Sequence, residues 1–99
     1  MRWLLKRPKT LSGITKYVDT PNGPLFVTVN FVAGKPVEVF ITTKQTGSDI
    51  TAFLEAIARL ISLALQYGIS AEEVINQLSG VGGKGSTIDT IAKALEDIM

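Results

Sequence analysis

Neither cysteine nor histidine occurs anywhere in these 99 residues. The first absence excludes disulfides and thiol chemistry. Together the two exclude zinc sites of Cys/His type and remove the commonest general base. A chain with no disulfide framework suits a reducing compartment, so the expected location is the cytoplasm. Met1-Arg2-Trp3-Leu4-Leu5-Lys6-Arg7 has too short an apolar run for a signal peptide, and no stretch is long and apolar enough to span a membrane. Charged residues make up only 19% and aromatics 7%, against 45% hydrophobic. On a single domain this small (residues 1–99), such an apolar surplus usually ends in a subunit interface.

Charge is unevenly placed. Residues 1–45 hold seven cations against two acids, and residues 46–99 hold three against seven. A basic front half suits phosphate-bearing partners, and head-to-tail self-association is an equal reading.

Residues 13–42 read as β. Ile14, Tyr17 and Val18 precede the turn Pro21-Asn22-Gly23, and Leu25, Val27, Val29 and Phe31 alternate onto one face of the next strand. Ala33-Gly34-Lys35-Pro36 turns the chain again into Val37–Thr42. Residues 1–12 form an N-terminal arm or a fourth, edge strand. From Ser48 the period becomes helical, and the spacing predicts helices over 48–67, 70–79 and 87–98. Ser48 or Thr46 caps the first, Gly68 stops it, and Ser70-Ala71-Glu72-Glu73 is a capping box for the second. The fold class is therefore α+β: an antiparallel β-meander of three to four strands, then three helices packed on one face.

The first helix is unusual. Its polar residues Thr51, Glu55, Arg59, Ser62 and Gln66 form one narrow stripe, and the rest of its girth is apolar. One sheet and two short helices can hardly bury so much, so a homo-oligomeric contact is expected through this helix or the N-terminal arm. At about 25 cal/mol per Å² of apolar area, two further buried leucines contribute several kcal/mol.

Two junctions can hold an anion. Gly80-Val81-Gly82-Gly83-Lys84-Gly85-Ser86-Thr87 runs into the third helix, and Lys44-Gln45-Thr46-Gly47-Ser48 into the first. Helix N-termini present unpaired N–H groups and a partial positive charge. Lys84 with the N–H groups of Gly85, Ser86 and Thr87 can form an anion nest; the alternative is a connector whose glycines only permit a tight return. A nucleotide P-loop is excluded, because it needs Gly-Lys-Ser/Thr after a strand. Here Gly85 separates Lys84 from Ser86 and a helix precedes the loop. Asp49 and Asp89 argue against anions, since each can satisfy its own helix end. The candidate ligand-binding residues are Lys44, Thr46, Gly47, Ser48, Lys84, Gly85, Ser86 and Thr87, with Arg59 from the long helix. Trp3, beside Arg2, Lys6 and Arg7, can stack on a base or anchor to a neighbouring subunit. Tyr17, Phe26, Phe31 and Phe40 can also stack on bases, although at strand spacing such residues are more often core.

In order along the chain these pieces resemble the TSCPD domain, the C-terminal tail of adenosylcobalamin-dependent ribonucleotide reductases that also occurs as stand-alone proteins. Arg7-Pro8-Lys9-Thr10-Leu11-Ser12-Gly13 resembles its opening motif, Thr20–Asn30 its hairpin and Val37–Ile41 its next strand. Ala56–Leu65 is similar to its long helix, and Glu73–Gly80 to the short helix ending in Gln-Leu-x-Gly. Ser86-Thr87-Ile88-Asp89 stands where the naming Ser-Cys-Pro-Asp occurs. Thr87 and Ile88 replace its cysteine and proline, so any thiol role of the family cannot operate. A chain of this length also has no room for the reductase's barrel and cobalamin site.

The resulting expectation is a non-catalytic, homo-oligomeric protein that binds a nucleotide-like or phosphate-bearing small molecule. Sequestration of a nucleotide signal, as by a viral sponge, is one form of it. The alternative is an interaction module docking on a ribonucleotide reductase or another protein. No cofactor, metal, membrane or nucleic-acid partner is expected, and an enzyme is the class with least support.

Overall fold

A computed structural model describes residues 7–44 and 48–99. Three strands, β1 (Ser12–Thr20), β2 (Gly23–Val32) and β3 (Lys35–Thr43), form one antiparallel sheet in the order β1-β2-β3. Three helices follow: α1 (Asp49–Gln66), α2 (Ala71–Leu78) and α3 (Thr87–Ile98). The α+β expectation holds, with three strands. Residues 7–11 form no strand, and Trp3-Leu4-Leu5 lies outside the described residues.

Both hairpins follow from their turn residues. At the first, the Thr20 hydroxyl accepts from Asn22 N (3.1 Å) and donates to Gly23 O (2.8 Å), while Gly23 takes φ 96°. At the second, Ala33 and Gly34 have φ 51° and 78°. Two consecutive positive φ values make the type I′ turn that matches strand twist. Each helix opens on a serine whose hydroxyl accepts from the N–H three residues on: Ser48 from Thr51, Ser70 from Glu73 and Ser86 from Asp89.

Leu25, Val27 and Val29 of β2 and Val39 and Ile41 of β3 meet Leu54, Ala58, Ile61 and Leu65 of α1 and Ile91, Ala94 and Leu95 of α3. The helix α1 packs on β3, α3 on β1 and β2, and α2 on its fellow helices. Among the described residues all the helical cover is on one side of the sheet. The alternation that buries Val27 and Val29 therefore turns Tyr17, Phe26 and Phe40 to the open side. Phe31 alone of the strand aromatics packs against the core. Tyr17 and Phe40 are exposed, and the Tyr17 and Phe26 rings meet edge-on at 5.4 Å. The core reading of these three aromatics is thus corrected, because period two sends them to the uncovered face.

The long helix is only partly covered within the chain. Leu54, Ala58, Ile61 and Leu65 bury one face, but Ile50, Phe53, Leu60, Leu63 and Tyr67 remain exposed. Within one chain it is buried on one side.

Candidate functional site

A free strand edge is the starting point. Among the described residues β3 pairs with β2 alone, so its alternate residues aim their N–H and C=O groups away from the sheet. The polar stripe of α1 lies along this edge. Ser62 Oγ accepts from Val39 N (2.9 Å) and lies within donating distance of Val39 O (3.2 Å) and Ala58 O (2.8 Å). Gln66 Nε2 donates to Val37 O (3.0 Å). The Val37 carbonyl and the Val39 N–H thereby have side-chain partners on α1.

Two residues farther along, Ile41 shares their outward register, and no described residue takes its N–H or C=O on that side. Here strand and helix enclose a groove of about 550 Å³. Thr42 and Thr43 line the strand side, Thr51, Glu55 and Arg59 the helix side, with Phe40 and Leu63 as apolar wall. Arg59 Nη2 meets Glu55 Oε2 at 2.9 Å, one turn apart. Arg59 is 78% exposed, so this ion pair is weak and its guanidinium is available to an anion.

Of the sequence candidates, Arg59 reaches this groove, and Lys44 and Ser48 adjoin residues that line it. Lys44 continues directly from Thr43, and Ser48 Oγ lies 3.0 Å from Thr51 Oγ1. Arg59 lines the groove itself. Thr46, Gly47 and Trp3 lie outside the described residues. The outward pair of Ile41 and the hydroxyls of Thr43 and Thr51 were missed. Backbone groups carry no sequence signal, and a stripe on a helix does not say what faces it.

The glycine-rich junction is different. Asp89 is only 6% exposed and accepts from Gly80 N (2.8 Å) and Gly85 N (2.9 Å). Ser86 N donates to Gly83 O (3.1 Å), Ser86 Oγ donates to Val81 O (2.5 Å), and Thr87 Oγ1 accepts from Asn22 Nδ2 (2.7 Å). Two of the three N–H groups expected to form an anion nest are therefore engaged by the chain itself. The Gly85 and Gly80 bonds, with Lys93 behind them, hold the Asp89 carboxyl below the ordinary range. Lys84 is exposed, and no residue of this loop lines the groove. Both helix starts nevertheless sit at one end of the sheet: Thr43 pairs with Leu25 beside the hairpin whose Asn22 reaches Thr87.

On the open side of the sheet Arg7 clamps Glu38, Nε to Oε2 at 2.5 Å and Nη2 to Oε1 at 2.8 Å. Asn30 Nδ2 adds a bond to Glu38 Oε1 (3.0 Å). The Arg7 bonds hold this carboxyl below its ordinary value, opposing the effect of its burial. Asn30 has room to reach Glu38 because Gly13 stands opposite it; a Cβ there would lie 2.1 Å from Asn30 Oδ1.

The family model of the TSCPD domain matches residues 2–99. The chain belongs to the TSCPD domain family. Among curated proteins, a vitamin B12-dependent ribonucleotide reductase of Rhodopirellula baltica is 37% identical over 46 residues, which is 46% of this chain and 4% of the reductase. This TSCPD chain thus spans a small fraction of the relative it matches. No solved structure matches it. Of the four residues at the family's landmark, the two it keeps build the loop: Ser86 caps α3, and Asp89 ties Gly80 to Gly85. Ile88, in the proline position, packs against the core. No helix among the described residues is long and apolar enough to cross a membrane.

Proposed function

We propose that this TSCPD protein is a non-catalytic, homo-oligomeric binder of a nucleotide-like, phosphate-bearing small molecule, held in the groove between β3 and α1. One observation carries the reading. The outward C=O of Val37 is taken by Gln66 and the outward N–H of Val39 by Ser62, whereas the outward pair of Ile41 opens into a cavity of about 550 Å³. Adjacent N–H and C=O groups match the acceptor–donor edge of a nucleobase, and a volume of several hundred Å³ suits a mononucleotide. Arg59 and Lys44 supply cations for phosphate, and Thr43 and Thr51 supply hydroxyls. Such a protein acts by stoichiometry, lowering the free concentration of its ligand, as a sponge for a nucleotide signal does.

Calorimetry and thermal shift against a panel of linear and cyclic nucleotides test this. Ligand at a hundredfold over its Kd should add about 2.7 kcal/mol of stability. Arg59→Ala should weaken binding about tenfold while leaving the fold intact, since the side chain is exposed. Silence across the panel would sink the proposal, and turnover of any nucleotide would reverse its non-catalytic part.

A second reading is docking on a ribonucleotide reductase or another protein, favoured by the 46-residue match to the reductase. The same strand edge can accept an extended segment by backbone pairing. Co-purification of a monomeric chain with such a partner, and no nucleotide affinity, would select it.

A further inference from the structure

The exposed side of α1 has a definite spacing. Ile50, Phe53, Ile57, Leu60, Ala64 and Tyr67 follow one another at intervals of three, four, three, four and three. This is the a/d seam of a heptad repeat, the pattern that packs one helix on another. Ile57 and Ala64 are partly covered by the chain's own core, while Phe53 is 60% and Leu60 67% exposed. The charged residues of α1 other than Asp49, namely Glu55 and Arg59, lie on the groove side. Beyond its first residue, nothing charged stands on the seam to repel a copy of itself.

The order of sizes along the seam selects the occupant. Antiparallel pairing of two such helices sets an a residue against a d residue. With the two-fold axis between Ile57 and Leu60, Ile50 meets Tyr67, Phe53 meets Ala64, and Ile57 meets Leu60. The bulkiest exposed side chain near one end thus falls on the smallest residue near the other. Ala64 and Leu60 also border a surface cavity of about 540 Å³ between α1 and α2, walled by Ile69, Val74 and Leu78, with Glu73, Asn76 and Gln77 of α2 also lining it. The helix therefore carries both a projecting ring and a recess to receive one, related by its own two-fold. A two-fold contact requires such self-complementarity, and an unrelated partner does not.

We infer that a second copy of this chain seats antiparallel on α1 through this seam, with Phe53 of each protomer entering the other's recess beside Ala64. This deepens the homo-oligomeric part of the proposed function and is independent of the ligand. The seam lies on the opposite flank of α1 from the nucleotide groove, so a dimer that binds no nucleotide leaves it standing.

Light scattering on the full chain should show a dimer, or an even-numbered assembly containing this contact. Leu60→Glu, exposed in the protomer and present twice at the axis, should raise the dissociation constant by more than about a hundredfold. Its far-UV circular dichroism should be unchanged. Because the chain has no cysteine, register can be read directly: a mixture of Ile57→Cys and Leu60→Cys chains should cross-link as the mixed pair. A monomeric wild type, an assembly indifferent to Leu60→Glu, or preferential Ile57→Cys self-linking each overturns the inference. So does a monomer that uses Leu60 to hold a different protein.

Discussion

Replacing Asp89 by alanine removes the shared acceptor of Gly80 N and Gly85 N and so frees both ends of the glycine-rich loop. The melting temperature should fall, with the isosteric Asp89→Asn recovering part of it by accepting one of the two bonds. Glu38 plays the matching part on the open face, holding Arg7 and Asn30. Both carboxyls titrate below their ordinary values of 3.8 and 4.5. The unfolded chain therefore takes up these protons first, and protonation favours unfolding. Their contribution is complete above the ordinary values and disappears as pH falls through the depressed ones. Denaturation midpoints measured from about pH 6 down to about pH 3 should fall steeply for the parent and less for Asp89→Asn and Glu38→Gln.

Gly13 offers a sharper test at single-atom resolution. Gly13→Ala places a Cβ 2.1 Å from Asn30 Oδ1 and must push that amide off Glu38. Destabilisation of about 1–2 kcal/mol is expected by denaturant titration, and less when Asn30→Ala is also present. Of these residues, Asp89 was noticed in the sequence as able to satisfy its own helix end, because a helix start is a local pattern. The clamp on Glu38 was not, since Arg7 stands 31 positions off and only the folded sheet brings them together.

Among the elements, strands, helices and caps follow local pattern closely, and where local chemistry is poor a change should help. Ala33 occupies a left-handed position that asparagine tolerates better. Ala33→Asn should therefore stabilise by about 0.5 kcal/mol in the same denaturant assay. The stripe on α1 is the opposite case. Its spacing was plain, but its purpose depends on β3 lying beside it. Ser62→Ala should cost about 1–2 kcal/mol, because Val39 N loses its acceptor in a half-buried setting. Lengthening the open edge in this way should also alter occupancy of the groove, which calorimetry can follow.

For the whole molecule, one-sided cover of the sheet explains two surfaces at once. Three helices on one face leave Tyr17, Phe26 and Phe40 on the open side, and among the described residues nothing covers Phe53 and Leu60 on the outer seam of α1. The apolar surplus noticed in the composition is thus located rather than dispersed. Its prediction is oligomeric: loss of self-association in Leu60→Glu should lower apparent stability in a concentration-dependent way, visible as a melting temperature that no longer rises with protein concentration.

The amino-acid sequence was sufficient for the α+β class, the Ser70 capping box, the hairpin turns and membership of the TSCPD family, because each rests on short-range spacing or on motif order. Only folding turns Gly85 N and Ser86 N of the glycine-rich loop onto the chain's own Asp89 and Gly83. The β3–α1 groove was likewise invisible beforehand. It is built from backbone groups, identical in every residue, and they acquire a direction only when strand and helix are laid side by side.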